Sequence, residues 1–522
     1  MQTTAWETLF QAQPFFYLRG EKQVRVQPVF RRLAGQTAIY GLGTIVSRFL
    51  NYLLLPIHTA VFRDPKDYGI ITEFYAYAAF FNIIFVYGLE TAYFRFATLE
   101  KDRMRVFSTG MVSLLFSSLL FSGLLIVFSG PLAAAIGYAD QQDYVVWFAL
   151  ILGLDALVAL PFARLRLQEQ ALRFAGYRLI NVSVNVAMNV LLLLVIPHGL
   201  QQHADHSFSK WLLRWYNPDL GVGYVFIANL VASAVTLLLF WQPLTQLSWQ
   251  MDWRLWRHMI NYSLPLVLVG LAGMVDEMLS RAMLKYRLQM PTEEALHHLG
   301  VFGANYKLAV LMTLFVQAFR MAAEPFFFNE SQKQGAPHVY ATTMNYFVAA
   351  AGGLFLIVAL YLDLFQRLFI TPAYYEGGRV VPILLLAQLF LGMYYNLTVW
   401  YKLTGHTHLG ALVASYGAVF TFVLNWLVIP VYGYVGASWV TFFCYLTMVV
   451  ISYALGQRYY PVPYQVGRVL LYLVLAVGLY AIAQGLRSFL EPSYYYLLAA
   501  FLLAVYGGVI VWIEKRTFRR GP

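Results

Sequence analysis

Residues 106–129 read VFSTGMVSLLFSSLLFSGLLIVFS, a run without a single charged side chain. As a helix rising 1.5 Å per residue, such a run is about 36 Å long, more than the ~30 Å of bilayer hydrocarbon. No water is present there to bond exposed N–H and C=O groups, so the segment must satisfy its backbone internally, as a helix does. Working outward, apolar runs of about 20 residues recur from Gly35 almost to the C-terminus, with no soluble domain between them. The longest polar stretch after the N-terminus runs only from His198 to Asp219. The pattern predicts fourteen helices, over about 36–62, 69–97, 106–129, 144–166, 174–197, 220–245, 259–285, 299–327, 340–362, 379–403, 408–430, 433–456, 467–487 and 494–513. Hydropathy is continuous across some joins, Val431–Gly436 among them. The fold class expected is an all-α, multi-pass membrane protein.

Composition agrees. Of 522 residues, 60% are hydrophobic and 12% charged, against roughly 25% charged in an ordinary globular domain. The chain holds 38 Tyr and 12 Trp, many at segment ends, as in Tyr459–Tyr460 and the Trp249/Trp253/Trp256 cluster, which suits rings at headgroup depth. The one cysteine, Cys444, excludes a disulfide framework. A net charge of +11 would suggest nucleic acid in a soluble protein; here the cations fall in short loops, so no nucleic-acid partner is expected. Residues 1–35 lack the order of a signal peptide, since the mixed Trp6–Leu18 stretch precedes the basic cluster. They read as an interfacial or disordered cytoplasmic lead. With the N-terminus inside, loop cations divide 24 against 10 in favour of that side, with Arg48 and Lys307 left inside spans. Both termini are therefore expected in the cytoplasm.

Sliding the chain by 231 residues lays the second span over the eighth without gaps. Gly69 meets Gly300, Tyr75 meets Tyr306, Ala78 meets Ala309, Ala92 meets Ala323 and Phe96 meets Phe327. This predicts two pseudo-symmetric six-helix lobes, 36–245 and 246–456, followed by two further spans and a basic tail over 457–522. Both lobes start from the same side, so the repeat is parallel, about an axis along the membrane normal.

Charges inside hydrocarbon cost ~2.5–3.5 kcal/mol each on insertion scales, so they face a cavity, a partner or a cargo. Arg48 stands near the middle of the first span. It reads either as an anion-binding guanidinium, whose fork of donors suits phosphate, or as half of a buried pair with Glu73 or Glu90. Asp276 and Glu277 are adjacent in the seventh span. Glu277 and Arg281, four apart, share a helix face. One carboxylate can titrate or bind a cation, or both merely hydrate a wet cavity. Lys307, Arg320 and Glu324 lie in the eighth span, Lys307 as a candidate for cargo contact and the other two as an intrahelical pair. Arg95 reads as a positive-inside residue or a cavity contact. Arg48, Arg95, Lys307, Arg281 and Arg320 thus form the substrate-binding set; Asp276, Glu277, Glu73 and Glu324 form the set for Na+ or H+ coupling. Pro56 and Pro265 are the candidate bends. His198, His203 and His206 sit in one loop at spacings that do not share a helix face, and read as solvated. No metal, cofactor or catalytic constellation is expected.

The stretch Ile39–Gly43 through Ser47-Arg48-Phe49-Leu50, then Leu55-Pro56 and Thr59, Asp67-Tyr68-Gly69, Gly88-Leu89-Glu90-Thr91-Ala92 and Phe94-Arg95-Phe96, resembles the opening of the polysaccharide transporter family. Tyr306–Ala309 and Gln317–Phe326 resemble that family's eighth span. These are Wzx-type oligosaccharide flippases of the multidrug/oligosaccharidyl-lipid/polysaccharide exporter superfamily. The resemblance implies transfer of an undecaprenyl-diphosphate-linked oligosaccharide between leaflets of a bacterial inner membrane, through a central cationic cavity where Arg48, Arg95 and Lys307 fall. It implies a lipid-linked oligosaccharide and membrane lipids as ligands, a polysaccharide polymerase and glycosyltransferases as neighbours, and a monomer. A cation-coupled multidrug or metabolite antiporter of the same fold is the alternative. An enzyme would need a larger external loop than this chain offers, and a scaffold would not need charges in mid-membrane.

Overall fold

The computed structural model describes residues 46–202, 216–330, 335–404 and 406–520. Among them there is no strand. Helical residues 46–52 lead into α1 (Leu54–Val61), followed by α2 (Pro65–Val86), α3 (Leu89–Leu99), α4 (Arg103–Val127), α5 (Gln142–Leu167), α6 (Ala171–Val190) and α7 (Gly223–Leu239). Then come α8 (Trp253–Arg287), α9 (Thr292–Glu330), α10 (Ala336–Leu360), α11 (Val381–Leu397), α12 (Thr407–Tyr459), α13 (Val466–Arg487) and α14 (Pro492–Arg520). Every stretch expected to span is helical where it is described. We call the end of the bundle at which the first span enters and α14 exits proximal, and the other end distal.

Local chemistry sets the helix starts. Pro65 opens α2 with its missing N–H in the first turn, and the Asp64 carboxylate accepts from the Lys66 N–H. Asp102 does the same for α4 through Met104 and Arg105, and Asp252 for α8 through Arg254 and Leu255. Two breaks differ from the expected helices. The second span is divided at Tyr87 and Gly88, both at positive φ (33° and 71°), and Gly88 there lies against Ser263 of α8. The first span turns at Leu53, just before Pro56, whose ring removes a backbone donor. The helix of 53 residues over α12 would be ~80 Å long if straight, far beyond one bilayer crossing. Gly433 (φ 56°, ψ −143°) folds it into the two expected spans, in a backbone conformation essentially reserved for glycine.

Helices α4–α5 and α6–α7 pack pairwise within the first lobe; α8 packs on α12, and α11 on α9 and α12, within the second. The last two helices lie on each other and on α10. The lobes meet chiefly along α2 and α9, and along α8 with α2 and α3. At the α2–α9 crossing the two repeat-equivalent glycines touch. A Cβ on Gly300 would lie 2.9 Å from the Gly69 nitrogen and closer still to the Pro65 carbonyl oxygen. A Cβ on Gly69 would collide with the Leu296 carbonyl oxygen and stand 3.3 Å from the Gly300 nitrogen. Pro65 and Leu296 are themselves 231 residues apart, so the contact is reciprocal, as an axis of pseudo-symmetry requires. The missing Cβ at each position lets two backbones approach where larger residues would hold them apart.

Candidate functional site

The cations singled out by the sequence fall in three groups, and Arg48, Lys307 and Arg95 each touch the opposite lobe. Arg48 is exposed and donates to the Gln317 side-chain oxygen on α9, joining the first span to the second lobe. Nearer the distal end, Lys307 lies 5.4 Å over the Tyr68 ring and the Arg281 guanidinium stacks 4.0 Å over Tyr306. Arg281 and Lys307 are near enough for their charges to repel. Buried His58 hydrogen-bonds Asn189 at 2.8 Å, within the field of Lys307. At the proximal end Arg95 is exposed and stacks 4.3 Å over Tyr262 of α8, and Arg320 stacks 4.6 Å over Tyr395 of α11. Arg95 and Arg320 therefore stand apart from the Lys307–Arg281 group.

The carboxylates divide differently from the expected ion pairs. Arg48 is partnered by neither Glu73 nor Glu90. Glu73 is fully buried and is held by Lys285 of α8 at 2.9 and 3.0 Å, with the Tyr138 hydroxyl donating to it at 2.6 Å and Tyr77 also donating. Glu90 pairs with Arg166 of α5. Among the described residues no carboxylate pairs with Arg48 or Lys307. The side chains of Asp276, Glu277, Pro265 and Glu324 lie outside the described residues, and with them the expected Glu277–Arg281 and Arg320–Glu324 pairs. His203 and His206 also lie outside them. Among the described residues no group of three His, Cys, Asp or Glu could hold a metal ion.

The distal ends of the lobes are closed. The Thr371 hydroxyl donates to the Thr59 carbonyl at 2.9 Å, and the Tyr374 hydroxyl to the Phe62 carbonyl at 2.6 Å, tying α1 to the α10–α11 connection. At the proximal end Asp252, the cap of α8, pairs with Arg105 of α4. The Leu255 N–H, with Arg105 beside it, holds that carboxyl below the usual carboxylate range.

Two cations counted with the loop cations, Arg166 and Arg178, line a cavity of the first lobe. Arg166 lies at the end of α5 and Arg178 well inside α6, where Arg178 stacks 4.5 Å over Phe162 and lies in the field of both Arg48 and Asp155. Both line a cavity of about 400 Å3 enclosed by α2, α3, α5, α6 and α7, with Val267 of α8 at its edge. Asp155, which accepts from the Ser233 hydroxyl at 2.7 Å, lines it too. The sequence does hold a signal for Asp155: a carboxylate in an otherwise uncharged stretch from Tyr144 to Ala163.

Comparison with known proteins follows the same lines. Residues 61–199 match a family described as polysaccharide biosynthesis protein. No curated protein matches the chain by sequence. Among solved structures, lipid II flippase MurJ in an inward closed conformation matches over 92% of this chain and 99% of its own length, with TM-score 0.69 and 11% identity. The MATE multidrug transporter DinF-BH matches over 85% and 98%, with TM-score 0.54 and 14% identity. An inward-facing multidrug resistance MATE family transporter of the MOP superfamily matches over 81% and 94%, with TM-score 0.55 and 11% identity. The chain thus has the fold of flippases and transporters of that superfamily, as its own sequence led one to expect.

Proposed function

We propose that this chain, with the MOP-superfamily transporter fold and a polysaccharide-biosynthesis match in its first lobe, is a flippase for polyprenyl-diphosphate-linked oligosaccharide. The proximal end is the cytoplasmic one, and the cargo moves from that leaflet to the outer leaflet of a bacterial inner membrane. The observation that carries the reading is a charged lining without matching carboxylates: Arg48 and Lys307 pair with none among the described residues. A lipid diphosphate supplies the missing anion, and guanidinium forks suit its oxygens. With the distal ends tied together, cargo enters from the proximal side once the contacts of Arg105 with Asp252 and of Arg95 with Tyr262 part. The lobes then exchange that seal for a proximal one. Ion coupling through Asp276, Glu277 or Glu324 belongs to the same proposal, and Glu73, already matched by Lys285, serves closure instead.

The multidrug-antiporter reading is less well supported. Among the described residues the charges between the lobes without a carboxylate partner, Arg48 and Lys307, are positive, which suits an anionic cargo better than a cationic drug. The MATE chains also cover less of this one than MurJ does, 81–85% against 92%.

Depletion of the chain is expected to leave lipid-linked glycan in the inner leaflet and to remove a surface polysaccharide. Arg48→Ala removes charge-assisted hydrogen bonds to the diphosphate, and should lower transport about 10- to 100-fold while leaving insertion intact. Mass spectrometry of the lipid-linked glycan pool, alongside immunoblots of the membrane fraction, reads both. Full restoration of surface glycan by normally expressed Arg48→Ala would remove the diphosphate from the account.

A further inference from the structure

The first-lobe cavity differs from the space between the lobes. Its charges are already matched. Glu90 pairs with Arg166, and Asp155 is held by Ser233 in the field of Arg178. An added anion or cation would therefore disturb an existing balance. What the walls do offer is a dense alternation of neutral donors and acceptors on different helices: amides of Asn82, Asn181 and Asn229 and hydroxyls of Thr91 and Thr236. Asn181 and Thr236 bond each other at 2.7 Å, and Asn229 donates to the Tyr75 hydroxyl. The Asn82 and Thr91 side chains, by contrast, make no hydrogen bond to any described residue, and both residues are exposed and line the cavity. Phe162 and Val158 add an apolar patch.

We infer that this cavity is a saccharide subsite, in which the head-group sugars of the cargo lodge inside the first lobe while the diphosphate stays between the lobes at Arg48. The inference rests on the flippase reading. A sugar hydroxyl donates and accepts at once, so it matches walls of mixed amides and hydroxyls better than an ion or a lipid chain does. A volume of about 400 Å3 falls within the range of small-molecule sites. Val267 of α8 in the lining carries the cavity to the boundary with the second lobe, and Arg178 in its wall lies in the field of Arg48, so one cargo molecule would reach both. Sugar selectivity would then reside in the first lobe, because a site built to bond hydroxyls discriminates strongly against a ligand lacking them.

The test uses the purified full-length chain in detergent and two probes. One is undecaprenyl diphosphate without sugar. The other is the lipid-linked glycan extracted from cells depleted of this chain. Asn82→Leu and Thr91→Val remove no hydrogen bond from the fold, and Asn229→Leu serves as a further variant. Each is expected to weaken binding of the glycan-bearing lipid about tenfold and to leave bare undecaprenyl diphosphate unchanged. Arg48→Ala is expected to weaken both. If the variants bind both lipids as wild type does, or weaken both equally, the saccharide subsite is overturned and the flippase reading stands. If wild-type protein binds neither lipid, the flippase reading falls and the subsite falls with it.

Discussion

Gly300→Leu abolishes transport and holds the distal ends of the lobes apart. The reason is geometric. At this crossing the neighbouring atoms are backbone, the Pro65 carbonyl oxygen and the Gly69 nitrogen, and no rotamer change moves them aside. A side chain can be accommodated only by separating α2 from α9. Overpacking of this kind costs about 3 kcal/mol, which converts to roughly a hundredfold loss of the closed population. Gly69→Leu should do the same, because the contact is reciprocal. Alanine at either position should be milder in degree and identical in direction. Lys66 and Glu293 approach to 3.9 Å across the same mouth, so cysteines placed there report closure through a short bifunctional cross-linker. Cross-linking should be efficient in the Lys66→Cys/Glu293→Cys protein and fall steeply when Gly300→Leu is added. Equal cross-linking with and without the leucine would show that the glycine contact does not govern closure.

Glu73→Gln unlatches the same mouth by a different force. The Glu73 side chain is 0% exposed and that of Lys285 4%, so neither charge has water to fall back on. Removing the carboxylate's charge leaves a buried ammonium facing only neutral groups: the Ile136 carbonyl, the oxygen of the substituted amide and the Tyr138 ring 4.1 Å away. Breaking one half of a buried ion pair costs about 3–5 kcal/mol. Replacing both halves by apolar groups costs far less, because no charge is stranded. Thermal unfolding in detergent should therefore show a large drop for Glu73→Gln and for Lys285→Met, and a recovery in Glu73→Leu/Lys285→Met. Transport should not recover with stability in the double variant if the pair must form and break during each cycle. Additive losses in the double variant would mean that the two residues do not act as a pair.

These contacts show what could be read from the chain and what could not. Spans were legible because hydrocarbon imposes length and apolarity together, a signal that needs no tertiary information. The repeat was legible in the match of Gly69 with Gly300, although their touching was not: a shift of 231 residues relates positions without saying that they meet. Arg48 was legible because one charge in an uncharged run has few bland explanations. Its partner was not, since Gln317 carries no charge to count. The Glu73–Lys285 pair spans 212 residues, and Lys285 stands so near a helix end that it reads as a loop cation. Arg166 and Arg178 were misplaced for a related reason. Arg166 stands two residues before the turn at 168–170 and Arg178 about two helical turns after it, and counting cations by side assigns both to the loop although the helices carry them into a cavity wall. The break at Tyr87–Gly88 fell within a continuous apolar stretch, which hydropathy alone reads as a single helix.

The central claim is movement of a diphosphate-linked glycan between leaflets, and it can be measured without cells. Purified full-length chain is reconstituted into vesicles carrying the glycan-bearing lipid of depleted cells in both leaflets, and an external glycosidase reports the fraction of glycan that reaches the outer face. The account predicts near-complete cleavage with wild-type protein, about half in protein-free vesicles, and a rate about 10- to 100-fold lower with Arg48→Ala. Cleavage that stops at the protein-free level with wild-type protein, or Arg48→Ala as fast as wild type, would contradict it.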